Sequence, residues 1–565
     1  MRPVLYCTRH RQRPKIGKLM SKPPWLTPQK SSPTPSAGDV DTRRPSMYGG
    51  NSSHQEGNMS SRAEHCRHRR RCPFKSVSES RPRQWQIGVI TFVILLAVMF
   101  WGYAAKHGNS SDNDAADALY VGFAAREITP DPKAQTVWLA GFDRGRRATG
   151  IHDPLYARAV VLRHRHKKIA LVCLDLVGFF YPEVKTLRRE LSDYSYVLVS
   201  STHNHEGPDT LGLWGPNAFT TGVDAKYIAK VRDCVVEAVR QAESAVRPAI
   251  VYIGRIRAPE LLHDSRLPIV KHDELLVLDF RPDTSTNAHL GLLVQWNCHP
   301  ETLGRKNTLI SADFVGATVK YLEAKYKCPV AYFSGTVGGL LSSLGVEVRD
   351  RHGRLLQDGT WEKTERYGIL VAERAEEALK QAQPLRLIPW DICTQVLYLP
   401  VTNRLYQAAA QIKVVTRETS LWTGNPYKRV PAPAEAKPES LAVETEIGLL
   451  RLGDLQIAAV PGEIYSELVI GGVQDPPDPG ADFPDAPIEP ILYEQLSAPY
   501  KMIIGLANDE LGYIIPKRQW DEKPPFCYGR KEPQYGEINS LGPDTAPLLL
   551  EAFRKLSSLA GKQGD

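Results

Sequence analysis

The stretch "VLVSSTHNHEGPDTLGLWG" (residues 197–215) joins an apolar run to a polar loop that opens with two histidines two residues apart. The β-rich run "YSYVLVSST" (194–202) predicts a strand. Side chains two apart in a strand point to the same side, so His203 and His205 would present two imidazoles together at its end. Such a pair suits a metal ion, although an isolated pair is more often structural.

A third histidine follows a second apolar run. His299 stands in "LVQWNCHPETLG" (293–304), where it ends a β-like segment and precedes a proline. Two strand ends with the same chemistry predict one rim on which three imidazoles meet. Zinc takes imidazole and carboxylate ligands, and a catalytic zinc has three protein ligands and one open position. Three histidines therefore indicate a metal site without establishing it.

The rest of the chain from Leu119 alternates short β-rich runs with helical ones. Several predicted strands are separated by too little chain for a helical crossover, which favours antiparallel or mixed sheets. We expect an α+β fold, with mixed or antiparallel sheets flanked by helices, in one large domain over residues 119–565. Predicted strands are 157–164, 167–177, 194–202, 249–257, 290–298, 329–335, 445–462 and 500–508, and predicted helices are 181–193, 224–245 and 546–560.

Positive charge is concentrated at the N-terminus. The 565-residue chain has a formal net charge of +8, but residues 1–84 carry 18 Lys and Arg against 5 Asp and Glu. The remainder carries 53 against 58 and is mildly acidic. This distribution argues against nucleic acid as a partner, and no feature predicts an obligate protein partner. Residues 1–84 have the composition of a disordered basic tail.

Residues 85–105, "WQIGVITFVILLAVMFWGYAA", contain no charged side chain and are long enough to cross a bilayer as a helix. Eight basic residues lie in 62–84, so the positive-inside rule predicts a cytoplasmic tail and a single-pass signal anchor. A polar linker (106–118) then leads to a domain on the extracytoplasmic side. If the segment is instead a cleaved signal, the domain is secreted.

Cysteine usage gives no zinc motif. The six cysteines after the predicted span are dispersed and form no C-x-x-C pair. They leave room for one or two disulfides, without fixing a pairing.

Ten segments between about Leu119 and Pro543 carry a family resemblance. In chain order they are "AREITPD" (125–131), "AGFDRGRRATGIHDPLYARAVVL" (140–162), "STHNHEGP" (201–208), "ELLHDSRLP" (260–268), "KHDELLVLDF" (271–280), "NCHPETLG" (297–304), "SADFVG" (311–316), "AVPGEIYSEL" (459–468), "GLANDELGYIIP" (505–516) and "QYGEINSLGP" (534–543). Together they resemble the neutral/alkaline, non-lysosomal ceramidases, which are zinc amidases that cleave ceramide to sphingosine and a fatty acid.

The resemblance implies a set of site residues. The family's zinc ligands fall on His203, His299, Glu463 and Tyr513. His205 matches a histidine that lies beside the zinc as a catalytic or substrate-contacting group. By the same comparison, Arg266 and Tyr535 match the active-site arginine and second tyrosine, which would meet the developing oxyanion.

The chain departs from the family pattern at the catalytic serine. In "FSGTVGGLLSSLG" (333–345) the serine position holds Leu341, and Ser342 comes one residue late. Either Ser342 serves as the catalytic serine, or the site works without one, because a zinc-activated water can attack an amide directly with His205 as proton carrier. Glu206 replaces a serine of the family motif, and we expect no counterpart of the family's C-terminal immunoglobulin-like domain.

These observations predict a membrane-anchored zinc hydrolase that splits an N-acyl amide of ceramide or a related lipid. Two alternatives stay open. One is the same chemistry on another amide or ester. The other is a non-catalytic surface protein that keeps the fold and binds a ligand. This hypothesis follows from Leu341, which stands at the serine position of the family.

Overall fold

The computed structural model of the protein describes residues 118–284, 287–433 and 435–560. The predicted tail (1–84), the predicted span (85–105) and the linker up to residue 117 lie outside the described residues. Within the part that is described, we find no helix with the length and apolarity needed to traverse a bilayer.

Each predicted strand and helix overlaps an observed one, and the structure adds further elements. The strands are β1 (Leu119–Glu127), β2 (Gly150–Ile151), β3 (Tyr156–His164), β4 (Lys167–Leu174), β5 (Tyr196–Ser201), β6 (Arg247–Arg257), β7 (His263–Asp264), β8 (Glu274–Pro282), β9 (Gly291–Trp296), β10 (Leu309–Ile310), β11 (Val330–Ser334), β12 (Leu341–Ser342), β13 (Gln383–Leu385), β14 (Trp390–Pro400), β15 (Thr419–Leu421), β16 (Leu441–Leu452), β17 (Leu455–Ala459), β18 (Glu463–Ile464), β19 (Tyr500–Ile504) and β20 (Tyr513–Ile514). The α-helices are α1 (Tyr181–Glu190), α2 (Ala225–Ser244), α3 (Asp313–Tyr326), α4 (Trp361–Lys380), α5 (Arg404–Gln411), α6 (Ser466–Ile470), α7 (Leu492–Gln495) and α8 (Thr545–Ala560).

Nine of these strands form one large mixed sheet. Its order is β11-β9-β8-β6-β1-β3-β4-β5, with β13 also paired to β6. The pairs β4/β5 and β9/β11 are parallel, and the other neighbours are antiparallel. This mixture confirms the α+β class with mixed sheets that the short connections predicted.

The large sheet is buried on both faces, and β3 shows how the sequence achieves this. Ala157, Ala159 and Val161 face a core that includes the apolar stripe of α2. The alternate residues Val160 and Leu162 face a second core. A strand covered on both sides needs apolar residues at nearly every position, and the run "ARAVVL" supplies them except at Arg158, whose buried charge pairs with Asp175.

A five-stranded second sheet covers the other face of the large one. Its order is β14-β16-β17-β19, with β15 also paired to β16. Leu450, Ile457 and Ile504 from this sheet share the second core with β3. On its outer face the sheet packs against α8, through residues such as Leu549 and Phe553. The result is four layers in the order helix, sheet, sheet, helix.

Close approach between layers depends on glycine at one position in β1. A Cβ atom at Gly122 would lie 1.9 Å from the carbonyl oxygen of Ala242 in α2. Any side chain there would push the helix away from the sheet, so Gly122 fixes the depth at which α2 packs.

The edges of the large sheet meet near the predicted rim. Strands β5 and β11 lie at opposite ends of the strand order. Nevertheless the Ser334 hydroxyl at the end of β11 donates to the Thr202 carbonyl just after β5, at 2.6 Å. The sheet therefore curls until its two edge strands touch at their carboxyl ends, which brings the segments after β5 and after β9 together.

The helices α3, α4, α5, α6 and α7 were not predicted. The sequence of α4, "WEKTERYGILVAERAEEALK", is so rich in charged residues that its apolar face is not obvious. That face, formed by residues such as Tyr367, Val371 and Ala375, packs into the core.

The expectation of one or two disulfides needs a correction. In the described residues all six, Cys173, Cys234, Cys298, Cys328, Cys393 and Cys527, are free thiols.

Candidate metal centre

The two histidines of the opening stretch lie together, but not on a strand. β5 ends at Ser201, and His203 has a φ of +68°, in the left-handed region. Strand alternation therefore does not place the rings. They meet because the loop turns, with ring centroids 4.9 Å apart. A non-glycine residue at positive φ costs about 1–2 kcal/mol, and such strain is concentrated at functional sites.

The rings of His203 and His299 are fixed in the same way. Nδ1 of His203 lies 2.8 Å from the Val177 carbonyl, and Nδ1 of His299 lies 2.9 Å from the Leu341 carbonyl. A carbonyl oxygen can only accept, so each Nδ1 carries the hydrogen. In the neutral ring each Nε2 is then a bare lone pair.

Both lone pairs face one carboxylate. Glu463 Oε2 lies 3.2 Å from Nε2 of His203 and 2.9 Å from Nε2 of His299. All three side chains are at most 6% exposed. Acceptors opposed at this distance in a buried site need a cation between them, either a proton or a metal ion.

The pKa shifts describe the proton alternative. Burial opposes charge on His299, but the hydrogen bond and charge of Glu463 prevail and raise its pKa above the ordinary 6.5. Burial likewise opposes ionisation of Glu463, yet His203 and His299 hold the pKa of that carboxyl well below its usual range. A metal ion would have to displace the proton that this arrangement attracts.

Tyr513 is brought to the cluster by a short parallel strand pair. β18 pairs with β20, and the register sets Glu463 beside Tyr513. The Tyr513 ring is 6.4 Å from that of His299, and burial, followed by the charge of Glu463, raises the pKa of its phenol far above 10. The four predicted ligands are therefore neighbours in the fold.

A second possible ligand set shares two of these residues. One ligand atom each from His203, His205 and His299 lies within 4.8 Å of the others, so these three buried histidines could hold a metal ion. We favour Glu463 over His205 as the third ligand, because its oxygen is already within 3.2 Å of both Nε2 atoms.

His205 lies beside the cluster in a tight enclosure. Its ring packs edge-on against Phe142, at 5.0 Å between centroids. A Cβ at Gly141 would come within 2.3 Å of the His205 ring, so only glycine fits there. Burial lowers the pKa of His205 to about 4, against the opposing effect of Glu301, and the ring is neutral at pH 7.

Ser342 also lies at the site, next to His299. The two residues form a parallel β-bridge, and Ser342 is buried. Its hydroxyl donates to Glu301 Oε1 and accepts from the Leu344 N–H at 2.9 Å. Leu341, which stands at the family's serine position, turns its side chain into the core and is fully buried.

Arg266 and Tyr535 lie next to each other at the edge of the site. The Arg266 guanidinium pairs with both oxygens of Glu537, at 2.9 and 2.7 Å, and donates to the Tyr535 carbonyl at 2.8 Å. Its side chain is 1% exposed. Tyr535 is 53% exposed, and its ring lies 6.0 Å from that of Tyr513. Arg266 thus supports the loop that presents the Tyr535 phenol, while substrate contact by either residue stays a prediction.

The carboxylate of Glu206 has polar partners of its own beside the histidine loop. Arg146 pairs with it at 3.1 Å and Asn307 donates to it at 2.7 Å. Arg146 also donates to the His205 carbonyl at 2.5 Å. The residue that replaces a serine in the family motif therefore helps to fix the loop that carries His205.

Sequence reasoning missed two carboxylates of the site. Glu301 touches both His205 and Ser342. Glu510 is buried, its pKa is raised far above 4.5 by burial and then by Glu463, and its Oε2 has no hydrogen-bond partner among the described residues. Both occur inside segments that carry the resemblance, "NCHPETLG" and "GLANDELGYIIP", and that position was the available signal.

Comparisons with known proteins bear on the fold. No protein-family model matches the sequence, and no curated protein matches it. A crystal structure of neutral ceramidase from Pseudomonas aeruginosa is similar with a TM-score of 0.59 and 17% identity, covering 79% of this chain and 75% of that chain. A ceramidase complexed with C2 is similar with a TM-score of 0.58 and 17% identity, covering 79% and 76%. The sequence resemblance is thus confirmed in three dimensions, and the chain has the fold of the neutral ceramidases.

Proposed function

We propose that this protein is a zinc-dependent amidohydrolase that cleaves the N-acyl bond of ceramide or a related lipid, releasing a sphingoid base and a fatty acid. The observation that carries the proposal is the convergence of two imidazole lone pairs on one carboxylate oxygen within 3.2 Å. The shared fold with neutral ceramidases supports the choice of an amide in a lipid.

The donor set fits zinc. His203, His299, Glu463 and Tyr513 would hold the ion, and two nitrogens with a carboxylate and a phenol are within the range of ligands that zinc accepts. The carbonyl acceptors on both Nδ1 atoms fix the rings in the tautomer that binds metal through Nε2. When bound, zinc lowers the pKa of a water to about 7 and polarises a carbonyl group.

The remaining site residues would move protons and orient the substrate. In amide hydrolysis a water oxygen adds to the carbonyl carbon, the C–N bond breaks, and the nitrogen leaves with a proton. His205, neutral at pH 7 and beside the metal position, would accept the proton from water and return it to the nitrogen. The phenol of Tyr535, whose ring lies 6.0 Å from that of Tyr513, would donate to the oxyanion.

We also propose that the protein is a single-pass membrane protein with this site on the extracytoplasmic side. The uncharged segment 85–105 and the basic residues before it support that orientation. Accessibility of the described domain to added protease in intact cells, but not in cells where residues 85–105 are deleted, would test it.

The direct test of function is fatty-acid release from a short-chain fluorescent ceramide by the full-length protein. We expect hydrolysis that a chelator abolishes and zinc restores, and no hydrolysis by His203→Ala. Activity on other amides or esters alone would keep the chemistry and reject the ceramide assignment. Binding of the probe without turnover of any amide or ester would contradict the proposal.

A further inference from the structure

Glu301 joins two residues of the site. It lies two residues after His299, and its side chain is 15% exposed. Oε1 accepts the Ser342 hydroxyl, and Oε2 lies 3.4 Å from Nδ1 of His205. That distance is long for a hydrogen bond, but His205 Nδ1 has no other partner among the described residues. Such contacts often tighten only when substrate is bound.

The three histidines of the site differ in what faces Nδ1. For His203 and His299 it is a backbone carbonyl, and for His205 it is a carboxylate. A neutral carbonyl fixes a ring as a neutral metal ligand. A carboxylate additionally stabilises the imidazolium that forms when the ring takes a proton. The acceptors therefore separate two ligand histidines from one proton carrier.

Two further neighbours, Phe142 and Gly141, restrict the orientation of the His205 ring. Phe142 packs edge-on against the ring, and the absence of a side chain at Gly141 lets the backbone touch it. With Nδ1 turned to Glu301, Nε2 is the nitrogen left to face the cluster.

The hydroxyl of Ser342 is oriented as a donor to the carboxylate. A hydroxyl has one hydrogen, and Ser342 gives it to Glu301 while accepting the Leu344 N–H. In a serine nucleophile the hydrogen would instead point to the basic nitrogen of a histidine.

We propose that Glu301 is a positioning residue of this site, which holds His205 with Nδ1 protonated and Nε2 towards the metal position, and that Ser342 supports Glu301 rather than attacking the substrate. The proposal rests on the proposed function and deepens it, since it assigns proton transfer to a carboxylate–histidine pair and nucleophilic attack to water.

The kinetic test compares Glu301→Gln with Ser342→Ala in the full-length protein. We expect Glu301→Gln to lower kcat on the short-chain fluorescent ceramide by about 10²-fold or more, with KM within a few-fold and the metal content unchanged. We expect Ser342→Ala to lower kcat less than about tenfold, because water keeps its role. Glu376→Gln, at a buried carboxylate on α4 away from the site, is the matched control and should leave kcat unchanged.

Two kinetic results would overturn the proposal. One is a loss of less than tenfold in Glu301→Gln. The other is a loss of 10²-fold or more in Ser342→Ala, together with an acyl adduct on Ser342 in quenched wild-type protein by mass spectrometry.

A second readout needs no activity. In metal-free, full-length protein labelled with ¹⁵N-histidine, the His205 signals, assigned through His205→Gln, should report hydrogen on Nδ1 at pH 7. In Glu301→Ala the hydrogen should shift towards Nε2. Identical spectra of wild type and Glu301→Ala would reject the pairing. If the protein hydrolyses nothing, the proposed function fails, and this measurement still decides whether Glu301 positions His205.

Discussion

Two buried carboxylates of this protein, Glu446 and Glu463, meet very different surroundings. Glu446, on β16 between the two sheets, accepts both terminal nitrogens of Arg188 at 2.7 and 2.8 Å. It also accepts the hydroxyls of Tyr181 and Tyr196 and the amide of Asn508, at 3.3, 3.0 and 3.2 Å. Every one of these neighbours brings a hydrogen to the carboxylate.

Glu463 is surrounded by acceptors. Its nearest partners are the Nε2 atoms of His203 and His299, whose single hydrogens are already given to carbonyl groups. A buried carboxylate whose oxygens all accept hydrogen bonds, such as Glu446, stabilises the fold. A carboxylate that faces lone pairs needs a cation between them. Both carboxylates are buried, so it is the donors or acceptors around each one that distinguish a structural role from a functional one.

The largest effect expected from this comparison is on activity. Glu463→Ala should lower kcat/KM by at least about 10³-fold, because it removes a metal ligand, while the fold is kept. Hydrolysis of the fluorescent ceramide and circular dichroism together measure this. Full activity in a folded Glu463→Ala protein would show that the acceptor cluster is not the catalytic centre.

Glu446→Ala should have the opposite profile. It leaves Arg188 without its buried carboxylate, which should lower the free energy of unfolding by about 3 kcal/mol in a urea titration. Metal content should be unchanged. Glu444→Gln, which removes the charge from the part-exposed pair with Lys185, is the control and should cost less than about 1 kcal/mol. Equal losses of unfolding free energy in the two variants would mean that the hydrogen bonds to Glu446 contribute little to stability.

A smaller effect concerns the competition between proton and metal. Glu463 raises the pKa of His299, so in metal-free protein the ring holds its proton to a higher pH than an ordinary histidine. Zinc must displace that proton. Its affinity should therefore fall as pH falls through the His299 pKa, by about tenfold per pH unit for one proton. Calorimetric titrations with zinc in buffers of different ionisation enthalpy would count the protons, and a pH-independent affinity would argue against displacement.

The sequence predicts the strands and helices better than the tertiary contacts between them. The strand at 156–164 follows from its apolar run, and α2 follows from helical spacing. The contact between His299 and Glu463 spans 164 residues, and no local pattern encodes it. It depends on how the second sheet, whose strand β17 leads into β18, packs on the large sheet, and only the family resemblance anticipated it.

Glu301 shows why part of the site escaped prediction. A glutamate after a His-Pro pair has the appearance of a solvated loop residue, and nothing in "CHPETLG" reveals that His205 and Ser342 converge on it. The strand argument for the histidine pair placed the rings correctly for the wrong reason, since His203 lies in a left-handed turn rather than on β5.

The most direct test of the central claim is the metal content of purified full-length protein after exhaustive dialysis, measured by inductively coupled plasma mass spectrometry. The account predicts about one zinc per chain in the wild type and in Glu446→Ala, and almost none in Glu463→Ala. Wild-type protein that binds no divalent ion even when zinc is supplied, or a folded Glu463→Ala protein that keeps its zinc, would contradict it.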